Sequence, residues 1–212
     1  MARPAAVARS PIPAFGSTDV VAGWEVSQTS RTSQGATLEL IDCMPLTKVL
    51  VRAAASGAVA DLLKTPFGRA SRTLSGVLTT ACRPEEWTLY AVPGSAPRLI
   101  DKVTKRVPAG ELVTLLDITH GRTLVRLTGS RGPDVLCKLC GIDLSDAVTP
   151  TGAALRTSVA RLTVELVRDD RNGVCSYLMS CDRSYGDYFF GALLDAGTEF
   201  AIEPQGFVLP GI

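Results

Sequence analysis

The chain has 212 residues, 46% hydrophobic and 20% charged, with a formal net charge of +1. That length gives one large domain or two small ones sharing a core, enough chain to bury a core without staples. The near-neutral balance excludes the electrostatic footprint of a nucleic-acid binder or of a protein held on an anionic membrane. The longest apolar stretches, such as Leu112 to Leu116, fall far short of the ~20 residues that a membrane-spanning helix needs.

Met1 to Ser10 is small and weakly basic, with Arg3 and Arg9. It lacks the continuous apolar run of about 7–15 residues that marks a secretory leader. Six cysteines, at 43, 82, 137, 140, 175 and 181, therefore read as reduced thiols of a cytoplasmic protein and not as a disulfide framework.

Residues 1–34 are rich in Pro, Ala, Ser and Thr and show little periodicity, so they cannot order themselves by burial alone. They read as an extended N-terminal arm, either a loose tail or a segment ordered against a partner. Phe15, Val20, Val21 and Trp24 slightly favour the second.

Beyond the arm the sequence repeats itself, dividing into a half at 35–110 and a half at 111–212. Leu40-Ile41-Asp42, Lys48 to Arg52 and the helix Gly57 to Leu63 are matched by Leu115-Leu116-Asp117, Arg122 to Arg126 and Pro133 to Leu139. The helices stop at Thr65-Pro66-Phe67-Gly68 and at Cys140-Gly141, where proline and glycine end helical runs. Two strands follow in each half: Arg72 to Ala81 with Glu86 to Val92, and Arg156 to Val167 with Val174 to Met179. Asn172-Gly173 between the last two is a strong hairpin signal. Helices at about 97–106 and 185–196 close the halves, Gly197 serving as a C-cap. A short strand lies within 198–208. The fold class is α+β: two similar β-β-α-β-β-α halves with mixed, mostly antiparallel sheets and helices on one face.

Few residues carry chemistry. His120 is the only histidine, and one imidazole completes neither a metal site nor a triad. It reads as a turn residue bonding to backbone or facing a partner. Cys137-x-x-Cys140 lacks the second pair that zinc wants and sits at a helix end, not at a start where the dipole would activate a thiol; both read as buried structural cysteines. Arg183 to Phe190 mixes basic and aromatic residues, the composition of a protein interface, with Ser184 as N-cap and Asp187 completing a capping-box-like start. Gly129 to Gly132 lacks the ending of a phosphate loop. No catalytic, cofactor-binding or metal residue is assigned. His120, Arg122, Arg183 and Tyr185 are the candidate interface residues.

Asp117 to Arg122, Val125 to Gly129, Leu136 to Leu144, Arg156-Thr157 and Asp182 to Tyr188, with Phe67-Gly68-Arg69 and Glu85 to Leu89 in the first half, resemble the gamma-subunit family of heterotetrameric sarcosine oxidases over about residues 35–203. The resemblance implies a fold of the folate-binding aminomethyltransferase type. It also implies a non-catalytic place in a complex that oxidatively demethylates sarcosine. On that expectation the partners are alpha, beta and delta subunits, and FAD, FMN, NAD, tetrahydrofolate and zinc lie on those other chains. Two alternatives stay open: a related complex acting on another N-methyl amino acid such as N-methylglutamate, and a free-standing folate-binding protein, for which Asp117 is the one acid to nominate.

Overall fold

The computed structural model describes residues 6–28 and 38–212. The first strands, β1 (Ala8–Arg9), β2 (Thr18–Val21) and β3 (Trp24–Ser27), form a small sheet in the order β1-β3-β2. Ile12, Trp24 and Val26 are buried against the main core. The segment read as an extended arm therefore folds back on its own chain. The reason is its few large apolar residues, which find a surface on that core. The rest of that segment, 1–5 and 29–34, lies outside the described residues.

The first half then runs β4 (Leu38–Asp42), β5 (Thr47–Arg52), α1 (Ala58–Leu63), β6 (Ala70–Arg72), β7 (Leu78–Arg83), β8 (Glu86–Ala91) and α2 (Ala96–Thr104). The second runs β9 (Thr114–Asp117), β10 (Arg122–Gly129), α3 (Gly132–Cys137), β11 (Ala154–Val159), β12 (Leu162–Arg168), β13 (Ser176–Asp182) and α4 (Gly186–Gly197), followed by β14 (Glu203–Gln205). Each half thus has one strand more than the sequence pattern gave. Arg72 to Ala81 breaks at a turn where Thr73 and Val77 bond and Gly76 takes a φ of 83°. Arg156 to Val167 breaks at Ala160-Arg161, with φ values of 49° and 65°, which no glycine, asparagine or proline announces. The Asn172-Gly173 hairpin is formed as expected. Both residues have positive φ, and Arg171 and Val174 exchange bonds of 2.9 and 2.8 Å across the turn.

The two main sheets have the orders β6-β7-β8-β5-β9 and β11-β12-β13-β10-β4-β14. Strand for strand, the first five positions of each correspond, except that the fifth is exchanged. β4 of the first half pairs with β10, and β9 of the second pairs with β5. The line between 110 and 111 therefore does not separate the sheets. Register also refines the repeat. Asp42 lies opposite Val125 and Asp117 opposite Val49, so Val49 corresponds to Val125, two residues away from the match of Lys48 with Arg122.

Each sheet buries its own helices. Val49, Val51, Trp87 and Leu89 face Val59 of α1 and Leu99 and Val103 of α2. The central strands of the other sheet pack against Val135 and Leu136 of α3 and against Phe189, Phe190 and Leu193 of α4. The opposite face of β7 and β8, through Leu78, Cys82 and Tyr90, joins that larger core. This is the period-two alternation of strands carrying two apolar faces. The outer strands meet where Arg69 bridges Ala153, and Ala70 donates to the Gly152 carbonyl at 2.8 Å. Among the described residues no helix is long and apolar enough to cross a membrane.

The structure departs from the sequence pattern at several helix ends and cysteines. Helix α4 starts at Gly186 after a 3-10 turn over Arg183–Tyr185, with no side-chain cap from Ser184. The Arg183 amide is drawn instead to the Gly121 carbonyl at 3.2 Å. Gly197 is the last helical residue and not a left-handed cap; a Cβ there would lie 2.7 Å from Ile202. Ala201, with φ 52°, takes the left-handed turn. All six cysteines are free, but Cys137 is exposed and Cys140 half-buried. The short α3 spends its apolar face on Val135 and Leu136, which turns position 137 outward.

Candidate functional site

The two strand exchanges are built by matching turns. An Asp42 carboxylate oxygen accepts the Met44 amide at 2.8 Å, and an Asp117 carboxylate oxygen accepts the Thr119 amide at 2.9 Å. Each aspartate bonds backbone two residues on, the local bond that aspartate offers at turns. Asp42 is buried and Asp117 exposed. Burial raises the pKa of Asp42, opposed by bonds from Ser10 and Met44.

Between these turns lies Lys48, fully buried. Its Nζ donates to the carbonyls of Met44 and Leu46 at 2.9 Å and of Thr119 at 3.2 Å. The ammonium thus ties the loop after β4 to the loop after β9. Burial pushes it down to about 7, while Asp42, Cys43 and Asp117 partly support the charge. No sequence signal marked it: a lysine beside Val-Leu-Val reads as a solvated strand end.

Beside these turns opens a groove of about 620 Å³, lined by the N-terminal sheet at Trp24, by Pro45 and Thr47, by Pro97 at the start of α2, and by Asp117, Thr119 and His120. The His120 ring stacks on Trp24 with centroids 4.7 Å apart and planes 9° from parallel. The Thr47 hydroxyl accepts the Ser95 amide at 2.9 Å, fixing the entry to α2.

The four candidate interface residues fall into two groups. His120 and Arg183 serve the chain's own N-terminal sheet. Arg183 donates to the carbonyls of Arg9 at 2.5 Å and His120 at 3.5 Å. Nearby, a Cβ on Gly186 would lie 2.6 Å from Pro11, so only glycine lets that segment close. Arg122 is turned onto β12 and β13. It donates to the Ser180 hydroxyl at 3.2 Å, pairs with Asp182, and stands 3.8 Å from Glu165. Burial raises the pKa of Glu165, with Arg122 and Arg83 opposing. Tyr185 is exposed, at 47%, as is His120, whereas Arg122 and Arg183 are half-buried.

A second polar cluster holds the seam between the sheets. Asp169 accepts two bonds from Arg72 at 2.9 and 2.7 Å, one from Arg126 at 2.9 Å and one from Arg171 at 3.0 Å. Burial alone would raise its pKa, but Arg126, Arg72 and Arg171 hold it below the ordinary value. Among the described residues no group of three or more His, Cys, Asp or Glu is placed to hold a metal ion. The chemistry on view is ion pairing, stacking and main-chain capture.

A sarcosine oxidase gamma-subunit family model matches residues 55–199. The chain is 28% identical over 185 residues to a sarcosine oxidase subunit gamma from Corynebacterium sp. (strain P-1), covering 82% of this chain and 87% of that one. Its fold matches a chain of the heterotetrameric sarcosine oxidase from Corynebacterium sp. U-96, solved in complex with pyrrole 2-carboxylate. There the TM-score is 0.69 and the identity 24%, over 79% of this chain and 87% of that one. It also matches the glycine cleavage system aminomethyltransferase T from Bartonella henselae, with a TM-score of 0.68 and 17% identity. That match takes in 90% of this chain but 55% of the transferase. With the family model spanning more than half of its length, the chain belongs to the sarcosine oxidase gamma-subunit family.

Proposed function

We propose that the chain is a non-catalytic gamma subunit of a heterotetrameric, flavin-dependent sarcosine oxidase, and that its work is assembly and stability. In this reading the complex converts sarcosine to glycine, with hydrogen peroxide and formaldehyde or methylenetetrahydrofolate as the other products. Alpha, beta and delta subunits are its partners and carry FAD, FMN, NAD, tetrahydrofolate and zinc. One observation carries the reading. The gamma-subunit family model spans residues 55–199, and the two ionisable side chains that line the groove each serve the chain's own fold, Asp117 as acceptor of its own turn and His120 stacked on Trp24. Tyr185, with its exposed ring, is the foremost candidate for contact with another subunit, since tyrosine supplies much interface area at low entropic cost. His120, Arg122 and Arg183 shape the surface behind it.

The test is size-exclusion chromatography with light scattering, on the chain alone and on the chain produced with its neighbouring genes, reading flavin absorbance across each peak. Alone, the chain elutes colourless. With its partners it elutes in a flavin-bearing complex of four different chains. A colourless monomer in both runs would overturn the reading and leave folate titration as the next measurement.

A further inference from the structure

The five-position correspondence of the two sheets leaves one place unmatched. On the outer edge of β4 the chain lays its own β14, parallel, with Glu203 opposite Glu39 and Gln205 opposite Ile41. The outer edge of β9, the corresponding strand, pairs with nothing among the described residues. Of the other outer strands of these sheets, β6 and β11 meet each other at Arg69 and Ala153, and β14 is three residues long with a proline at its centre.

The unpaired edge can be read residue by residue. Ile118 donates to the Lys48 carbonyl at 2.9 Å. In an antiparallel ladder inward and outward bonding alternate, so the amides and carbonyls of Leu115 and Asp117 point away from β5. Cys43 donates to the Leu124 carbonyl at 3.0 Å in the same way, which turns Leu40 outward, and Leu40 is opposite Pro204 of β14. Leu115 thus stands where Leu40 stands, with its partner strand missing.

Proteins normally protect such edges with lysine, proline, bulges or a cover. Glu111 to Asp117 contains neither lysine nor proline, and its pairing with β5 runs without a register shift. It offers instead apolar side chains to solvent, Leu112 at 89% and Leu116 at 48% exposure. Its charges are the two carboxylates Glu111 and Asp117. The strand ends at Asp117, in the wall of the groove beside His120.

We propose that the free edge of β9 receives an extended strand from another subunit of the oxidase, an apolar segment carrying a basic residue. It would run parallel to β9 as β14 runs beside β4, ending in the groove under the Trp24–His120 stack. Main-chain bonds to Leu115 and Asp117 would supply affinity, and Leu116 with the two carboxylates would supply selection. This rests on the reading that the chain is a subunit of a larger complex.

The experiment is amide hydrogen exchange on the purified complex and on the chain alone, together with Leu115→Pro produced among the other subunits. Strand addition slows exchange at 115 and 117 by at least about 100-fold on assembly. Proline at 115 removes an outward donor and spares the bonds to β5. It should cut the chain's share of the complex by about tenfold, the effect of one main-chain bond. Unchanged exchange at 115 and 117 in a complex that does contain the chain overturns the proposal. So does protection accompanied by cross-links between two copies of this chain, which would make the edge a homodimer contact. If the proline variant fails to fold, the exchange result decides. If the wild-type chain never joins a complex, the subunit reading itself fails, which is a different outcome.

Discussion

The two main sheets share a strand order and differ in how each is finished. The larger one is closed off by its own chain: β14 lies on its edge, the N-terminal sheet packs beside it, and Asp42 at its exchanged turn is buried. Among the described residues the smaller one ends in an unpaired strand, and the equivalent Asp117 is exposed. A duplicated fold needs each turn to close in the same way, and both aspartates accept a bond from the residue two positions on. It does not need each edge to be treated alike. The difference marks which side of the molecule is complete in itself.

The exchange of β4 and β9 ties the two cores to each other. Each half contributes a strand to the other's sheet, so neither core can melt by itself. Leu40 lies in the exchanged β4 with no exposed surface, and its truncation to alanine should cost about 2–5 kcal/mol. For a chain of this length that is roughly 5–15 °C in melting temperature. Leu99→Ala in α2, in the other core, should lower the same single transition. Two separated transitions in calorimetry, one moved by each variant, would show the halves to be independent and the exchange of no consequence for cooperativity.

Lys48 stands at the crossing itself, where the two halves differ. Its counterpart by register is Leu124, so one half places an ammonium where the other places an apolar side chain. The ammonium is pushed down to about 7 when folded and returns to about 10.5 when the chain unfolds. Between those values the unfolded state binds the extra proton, so this group's contribution to stability rises with pH. The rise is about 1.4 kcal/mol per pH unit at most. Urea unfolding of the wild type and of Lys48→Met at pH 7 and 8.5 should show the wild type gaining about 1–2 kcal/mol on the variant. Equal pH dependence would mean that the three carbonyls keep the ammonium charged throughout.

Much of this fold was readable because its signals are local. The strands around Leu40, Val49, Leu89 and Val125 announce themselves by apolar alternation, and Asn172-Gly173 by its turn chemistry. The repeat was visible in element order, whereas its register was off by two residues, because a ladder is set by pairing partners that lie about 70 residues away in the chain. Strand exchange and the burial of Lys48 are likewise tertiary facts with no local mark. The site was less legible than the fold. His120 and Arg183 stand out by composition, and that same prominence suits contacts with the N-terminal segment as well as contacts with another subunit.

The hairpin at Ala160-Arg161 shows why two strands read as one in the sequence. Left-handed backbone at a residue with a side chain costs about 1–2 kcal/mol, and sequences usually meet that cost with glycine or asparagine. Here tertiary bonds hold the turn: the Ala160 amide donates to the Leu139 carbonyl at 2.9 Å, and the Tyr188 hydroxyl donates to the Ala160 carbonyl at 3.1 Å. Arg161 next to it is exposed, with a φ of 65°. Replacing it with glycine removes the strain but adds freedom to the unfolded chain. The net expected effect is a stabilisation of about 0.5–1 kcal/mol, read as a higher urea midpoint with an unchanged slope. Ala160→Gly should gain less, because Ala160 is buried and glycine there also gives up packing. A loss of stability in Arg161→Gly would mean that the arginine side chain, not the bonds of its neighbour, holds the two strands together.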